Sequence, residues 1–442
     1  MSRPEQGSQP RSAREISEYL EHRITSGDLR PGDSLPSVRV MARELAVSPA
    51  TVTAAFKTLQ SRGLTYSERG VGTLVRRLAT VASNGALPAA DWLIDVASGN
   101  PDPRLLPDLS AFLHRLQLPT QLYGMRPVHP EIAGLMQPVM SDVRGQATTA
   151  YSIAGGALDA LDLAIASRLR PGDRVIVEDP GFAAATALLR SSGLEPLPVP
   201  VDSEGFQPDA FARALGQDAR ACLYSPRAQN PTGCSLSEAR AADLRALLAK
   251  TGGVFVIEND HASQVAGAVY YSLTTEASAW IVVRSASKSH GPDLRFSFLA
   301  GDPLTISRVE RKRMLGQGWI SFVMQSLVAA LFKDESIKEL VQHAEKTYSQ
   351  RRERLIRRLT EVGVPAFGRS GLNVYVPVSE EAAIIRKMSD RGWSVQSGEA
   401  YRINSGPFVR LTMAALSDEQ IDRLGGDMGE AVNAAPIVTR AG

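Results

Sequence analysis

Four short apolar runs constrain this chain more than any other feature. They are RVIVEDP (174–180), ACLYSP (221–226), GVFVIEND (253–260) and WIVVRSAS (280–287), and each ends in polar residues. Helical patterns lie between or before them, such as ALDALDLAIASRL (157–169) and LSEARAADLRALLAK (236–250). A strand buried on both faces reads as a continuous apolar run. Its alternation with helices predicts an α/β domain, a mainly parallel sheet with helices on both faces. Ligands in such sheets sit at the carboxyl ends of the strands, so the polar ends of the runs are where chemistry is sought.

Those ends carry a distinctive set. AGGALDAL puts Gly155 and Gly156 before a helix, whose free N–H groups suit a phosphate. Phe182 can lie on a flat ring. Asn230, in QNPTG, is a neutral donor, and Asn259, Asp260 and His261 close the third run. Ser285, Ser287, Lys288 and Arg295 follow the fourth. Of 49 Lys and Arg in the chain only 8 are Lys, so a lysine held between serines asks for a reason. An amine that can shed its proton attacks an aldehyde and forms a Schiff base, which an arginine cannot do. A phosphate cup, an aromatic plate and a lysine together point to pyridoxal 5′-phosphate.

Residues 12–78 have another rhythm. Ile16, Tyr19, Leu20 and Ile24 recur at helical spacing before Gly27. Ser37 is placed to cap VRVMARELA, with Val38, Met41, Ala42 and Leu45 on one face. Ser48 caps the next helix, with Pro49 at its first position, and Val52, Phe56 and Leu59 form its buried face. LTYSERGVGTLVRR then reads as a hairpin with Gly70 and Gly72 at its tip. This order predicts a winged helix-turn-helix that binds double-stranded operator DNA. Ser48, Thr51 and Thr53 reach phosphates or base edges, and Arg39 and Arg69 neutralise phosphates. Ser37 and Gly72 complete the candidate contact set. The charge agrees: residues 1–78 carry 12 Lys and Arg against 8 Asp and Glu, within a chain whose net charge is only +2. Residues 1–11 read as a disordered N-terminus, ATVASNGALPAA (79–90) as a linker, and 91–442 as the larger domain.

Two resemblances extend this reading. SGDLRPGDSLPSVRVMARELAVSPATVTAAFKTLQSRGL resembles the GntR-type regulator domain, which spans nearly all of residues 12–77. That family usually has Arg where this chain has Pro49. An Arg there can contact guanine through two hydrogen bonds, so its loss leaves the operator sequence open. Residues 95–430 resemble the fold-type I group of aspartate aminotransferase, through NPTG and the Ser-x-Ser-Lys…Arg pattern. The fusion resembles the MocR subfamily of regulators. SGNPDPRLLPDL, SPRAQNPTGCSLS and SKSHGPDLR are similar to a member linked to vitamin B6 metabolism.

The resemblance implies roles. Lys288 is the Schiff-base lysine. Gly156, Ala157 and Leu158 offer backbone N–H groups to the phosphate, joined by Ser285 and Arg295, and Ser287 is a further cofactor-binding candidate. Phe182 stacks on the pyridine, and Asn230 bonds its ring oxygen. Tyr123, in LYG, reaches the phosphate of a partner subunit, which implies a homodimer. Arg410, in PFVRLTMAALS, holds a substrate carboxylate. The subfamily reads Glu-Asp-Asp-Tyr or similar where this chain has Glu258-Asn259-Asp260-His261, and the first Asp ion-pairs with the ring nitrogen and keeps it protonated. Asn259 stands there, Asp260 replaces it only after a local shift, and His261 stands where a Tyr bonds the ring oxygen.

Three functions stay open. One is a regulator that senses pyridoxal phosphate or its amine adduct as a small-molecule effector. Another is a working aminotransferase with an accessory DNA-binding head. The third is a dimerisation scaffold without ligand. Asn259 favours sensing. Cys222 and Cys234 make no disulfide framework, MSRPEQGSQP carries no apolar signal, and no run is long enough to span a membrane. Cytoplasmic location is expected, and no metal-ligand set is read.

Overall fold

The computed structural model describes residues 10–61, 63–68, 72–75, 92–116, 118, 120–143 and 149–433. Residues 1–9, the tip residue Arg69 and the 79–90 segment lie outside the described residues. The chain forms two compact units.

The first unit holds α1 (Ala13–Thr25), α2 (Val38–Glu44), α3 (Pro49–Ser61) and the antiparallel pair β1 (Thr65–Glu68) and β2 (Gly72–Val75). Ser12 and Glu15 close a capping box on α1. Ser37 Oγ accepts the Val40 N–H at the start of α2, and Ser48 Oγ accepts the Thr51 N–H at the start of α3. Each cap satisfies a donor that the helix leaves free. Ile16, Leu20, Ile24, Met41, Val52, Phe56 and Leu59 meet in one apolar core. Tyr19, expected with them, is 44% exposed, and the Arg23 guanidinium lies 5.8 Å from its ring centroid. Ser17 is the buried residue on that turn instead, its hydroxyl bonded to the Arg14 carbonyl.

The second unit begins with β3 (Ile94–Asp95), α4 (Leu109–Leu113) and α5 (Pro130–Val139). Its main sheet is built through β4 (Ala150–Ala154), α6 (Ala157–Arg168), β5 (Arg174–Asp179), α7 (Ala183–Ser191), β6 (Glu195–Asp202), β7 (Gly205–Phe206), α8 (Pro208–Leu215), β8 (Ala219–Tyr224), α9 (Glu238–Thr251), β9 (Phe255–Asp260), β10 (Ala279–Ser285) and β11 (Ser297–Gly301). The strand order is β4-β11-β10-β9-β8-β5-β6-β7. β5, β8, β9 and β10 are parallel neighbours, and β11 runs antiparallel between β10 and β4. The four runs of the sequence are thus the four parallel central strands, and their polar ends lie along one edge. A large apolar core joins Ile176, Cys222, Val256 and Val282 of this sheet to Phe211, Leu244 and Val328 of the helices.

The chain then continues through α10 (Pro303–Leu315), α11 (Phe322–Lys333) and the long α12 (Glu335–Glu361), and on through β12 (Asn373–Pro377), α13 (Glu381–Asp390), β13 (Trp393–Ser394), β14 (Gln396–Ser397), β15 (Phe408–Thr412) and α14 (Asp418–Asn433). β12, β15 and β14 form a second, antiparallel sheet, while β13 pairs with β3. Their core is Leu355, Val374, Val376, Trp393, Leu411 and Met428. This layer carries Arg410 on β15.

Candidate functional site

Lys288 lies just beyond β10, in the turn that begins at Ser285. The Ser285 hydroxyl accepts the Ser287 N–H at 3.2 Å and donates to Ser287 Oγ at 3.0 Å, which fixes that turn. Lys288 Nζ donates to the Gly99 carbonyl at 2.6 Å. Burial, then the nearby Arg410 charge, pulls its pKa from 10.5 down to about 8. Both disfavour the ammonium form, so this amine sheds its proton more readily than a free lysine.

Lys288 opens into a cavity whose wall includes Ala157, Leu158, Phe182, Asn230, His261, Ser285, Ser287, Arg295 and Arg410. Among the described residues, the wall has three basic side chains and no carboxylate. At one end stands the start of α6. Gly156 caps it at φ +97, ψ 173, a conformation that suits glycine alone. A Cβ on Gly156 would stand 3.0 Å from the Arg295 guanidinium carbon and one of its terminal nitrogens. Arg295 is itself in the left-handed region, at φ +44. The helix terminus and the guanidinium thus form a cradle with room for no side chain between them.

At the other end stands Arg410, 1% exposed. Its Nη1 donates to Asn230 Oδ1 at 2.9 Å and to Tyr401 Oη at 2.7 Å, and its Nη2 donates to the Ala97 carbonyl. Burial holds its pKa below the ordinary value, and its Nε has no partner. A buried guanidinium with neutral partners favours an incoming anion. His261 is pulled to about 4 by burial and then by the Lys288 charge, so its imidazole is neutral at pH 7.

β9 separates its two acidic-end residues by face. Phe255, Ile257 and Asn259 alternate with Val256, Glu258 and Asp260. Asn259 shares a small adjoining cavity with Phe182, Glu178 and Ser225. It is 3% exposed, and its Oδ1 has no hydrogen-bond partner. Asp260, expected beside the cofactor, is not on the cavity wall. Its carboxylate receives Arg227 Nε at 3.0 Å, Arg227 Nη2 at 2.9 Å and Arg284 Nε at 2.8 Å. Burial would raise its pKa, but the two guanidinium groups prevail and hold it at about 2. Its correction follows from strand alternation: the odd face meets the cavity, and the even face meets the arginines.

Tyr123, expected at a partner subunit's phosphate, does not line its own chain's cavity. It is 92% exposed and edge-on to Trp319 at 5.4 Å. Three contributors carried no signal in the sequence: the Gly99 carbonyl, the Ala97 carbonyl and Tyr401. Two are backbone atoms of a loop, and the third sits in GEAYRIN, which has no diagnostic spacing.

On the first unit, Ser37, Arg39, Ser48 and Thr53 are exposed and Thr51 is half-buried. The hydroxyls of Ser48 and Thr51 lie 2.8 Å apart, and Thr53 Oγ1 donates to the Pro49 carbonyl at 2.9 Å. Gly72, at φ +117, opens β2 beside the tip. The open face of α3 carries Ala50, Thr53, Ala54 and Lys57. Lys57 was not among the sequence candidates, because its helical position gave it no motif.

The comparisons fit both units. The family model described as bacterial regulatory proteins, gntR family, matches residues 12–75. That described as aminotransferase class I and II matches residues 94–426, most of the chain. The chain belongs to the MocR-type regulators. Among relatives of this family member is the vitamin B6 salvage pathway transcriptional repressor PtsJ of Salmonella typhimurium. It is 37% identical over 96% of this chain and 99% of its own length. The pyridoxine biosynthesis transcriptional regulator PdxR of Corynebacterium glutamicum is 28% identical over 57% of this chain and 56% of its own. Kynurenine aminotransferase of Pyrococcus horikoshii shares the fold of the MocR body, with a TM-score of 0.69 at 20% identity over 78% of this chain and 91% of its own. No helix among the described residues is long and apolar enough to cross a membrane.

Proposed function

We propose that this chain is a transcriptional regulator whose body holds pyridoxal 5′-phosphate at Lys288, and whose head binds operator DNA with an affinity set by that cofactor or its amine adduct. The observation that carries the reading is the cavity itself: a lysine of lowered pKa, two arginines and a helix N-terminus around an aromatic plate, with no carboxylate on the wall. The fit is good at both ends of such a molecule. The Gly156–Arg295 cradle suits a phosphate, and the unpartnered Asn259 Oδ1 suits a polar ring edge.

Pyridoxal phosphate supplies an aldehyde that a primary amine captures and a dianion that anchors it. The chain's residues do the rest. Ala157, Leu158, Ser285, Ser287 and Arg295 bind the phosphate, and Phe182 orients the ring. Asn230 and His261 would hold its ring oxygen, and Lys288 is the amine placed to hold its aldehyde carbon. Arg410 holds the carboxylate of an amine effector. Around Tyr123, Leu118, Leu122 and Met125 are 51%, 63% and 54% exposed, an apolar surface suited to a second copy of the chain. Ser37, Arg39, Ser48, Thr51, Thr53 and Gly72 are the candidates for DNA contact, with Arg69 a candidate on its sequence position alone. The names of PtsJ and PdxR direct the search for target genes to vitamin B6 salvage and synthesis.

The test is chemical. Purified protein given pyridoxal phosphate is expected to turn yellow, and borohydride to fix a stable mass gain on the peptide containing Lys288. A protein that takes up no cofactor, or a fixed adduct on another lysine, sinks the reading.

A further inference from the structure

We propose that Asp179 is a positioning residue for the anion end of the cavity: acting through Tyr401, it sets how well Arg410 tells an amine effector that bears a carboxylate from one that does not. The proposal rests on the reading that Arg410 holds that carboxylate beside pyridoxal phosphate. Asp179 itself is not on the cavity wall.

Asp179 closes β5 and is 4% exposed. Its carboxylate turns to one short stretch of chain. Oδ1 accepts the Ile403 N–H and the Ser405 hydroxyl, each at 2.9 Å. Oδ2 accepts the Asn404 N–H at 2.7 Å and the Ser405 N–H at 3.1 Å. A carboxylate offers about four acceptor positions, so this stretch fills them. Two residues after Asp179, the Gly181 N–H donates to the Tyr401 carbonyl at 2.9 Å. The end of β5 therefore grips residues 401–405, which lie in the connection from β14 to β15.

A second carboxylate ties that connection to its own layer. Glu381, on α13, accepts the Glu399 N–H at 3.0 Å, the Phe408 N–H at 3.1 Å and Arg402 Nη2 at 2.9 Å. Tyr401 stands between the two clamps. Its hydroxyl accepts Arg410 Nη1 at 2.7 Å, and the Arg410 guanidinium carbon lies 5.3 Å from its ring centroid. A guanidinium pairs best with a carboxylate when its plane presents two parallel N–H groups. A displaced Tyr401 lets that plane turn. Asp179→Asn has this effect, because it sets an NH₂ group, a donor, against donors that need an acceptor.

The experiment titrates the full-length chain, freed of cofactor, with two stable ligands. One is N-(5′-phosphopyridoxyl)-L-alanine, and the other is its isopropylamine counterpart, in which a methyl replaces the carboxylate. Calorimetry reads the preference, the ratio of the two affinities. The wild type is expected to prefer the carboxylate by about tenfold or more, the scale of hydrogen bonds to a charged group. Asp179→Asn is expected to cut that preference about fivefold and to bind the methyl ligand within about twofold of the wild type. Tyr401→Phe is expected to cut the preference as well. The double variant should lose no more than the larger single loss, since both changes act on Arg410 along one path. A loss in Asp179→Asn that is equal for the two ligands overturns the proposal, and so do an unchanged preference and additive losses. A wild type without preference overturns the role of Arg410 and the proposal with it. A wild type that binds neither ligand overturns the cofactor reading itself. Where Asp179→Asn does not fold, Ser405→Ala removes a single donor to Asp179. It is expected to cut the preference about twofold, and an unchanged preference there overturns the proposal.

Discussion

Lys288 is the residue on which the chemistry turns, and its environment fixes a pH dependence. Its pKa is lowered to about 8, because burial and Arg410 both disfavour the charged amine. Only the uncharged amine attacks an aldehyde. The rate of cofactor uptake by the apo protein is therefore expected to climb as pH rises through about 8 and to level off above it. Stopped-flow absorbance across pH 6 to 10 checks this. A rate still climbing steeply near pH 10 would mean that Lys288 keeps an ordinary pKa. At this scale the sequence was legible where side-chain chemistry is restrictive. Lysine, arginine and asparagine each do something that few residues replace. The sequence left Asn259 and Asp260 both as candidates at the end of β9, and only the structure reveals the two arginines that hold Asp260. Gly99 acts through its carbonyl, which every residue owns, so its role was invisible.

Among elements, α6 carries the proposed phosphate site. Its first N–H groups lack helical partners, and Gly156 brings them beside Arg295. Gly156→Ala puts a methyl 3.0 Å from that guanidinium, at a backbone conformation that costs a non-glycine residue about 1–3 kcal/mol. The variant is expected to lose stability by about that amount and to bind pyridoxal phosphate at least tenfold more weakly. Pyridoxal, which has no phosphate, should lose much less. Thermal unfolding and titration with both ligands test this, and an equal loss for the two would remove the phosphate from the cradle. The parallel strands were legible because burial on both faces makes them continuous apolar runs. The short strands β3, β13 and β14 were not, since two residues carry no periodicity. Tyr19 failed for a related reason: helical spacing names a face, and an aromatic at its margin stays in water beneath Arg23.

For the whole molecule, two families of element are joined in one chain, and the account gives that union a purpose. In the proposed function the head offers α3 and its flanking hydroxyls to DNA, and the body offers a cavity to an aldehyde with a phosphate. A regulator built this way works only if the two equilibria share a coupling free energy, which acts equally in both directions. The measurement that tests this most directly is the affinity of full-length protein for operator DNA, with and without saturating pyridoxal phosphate, at one fixed salt concentration. The DNA upstream of the chain's own gene is the first fragment to use, followed by genes of vitamin B6 salvage. The account predicts a shift of about 5- to 150-fold, the usual range for a coupling of about 1–3 kcal/mol, abolished by Lys288→Ala. Equal affinity in the two conditions, with the cofactor shown to be bound at Lys288, would contradict it.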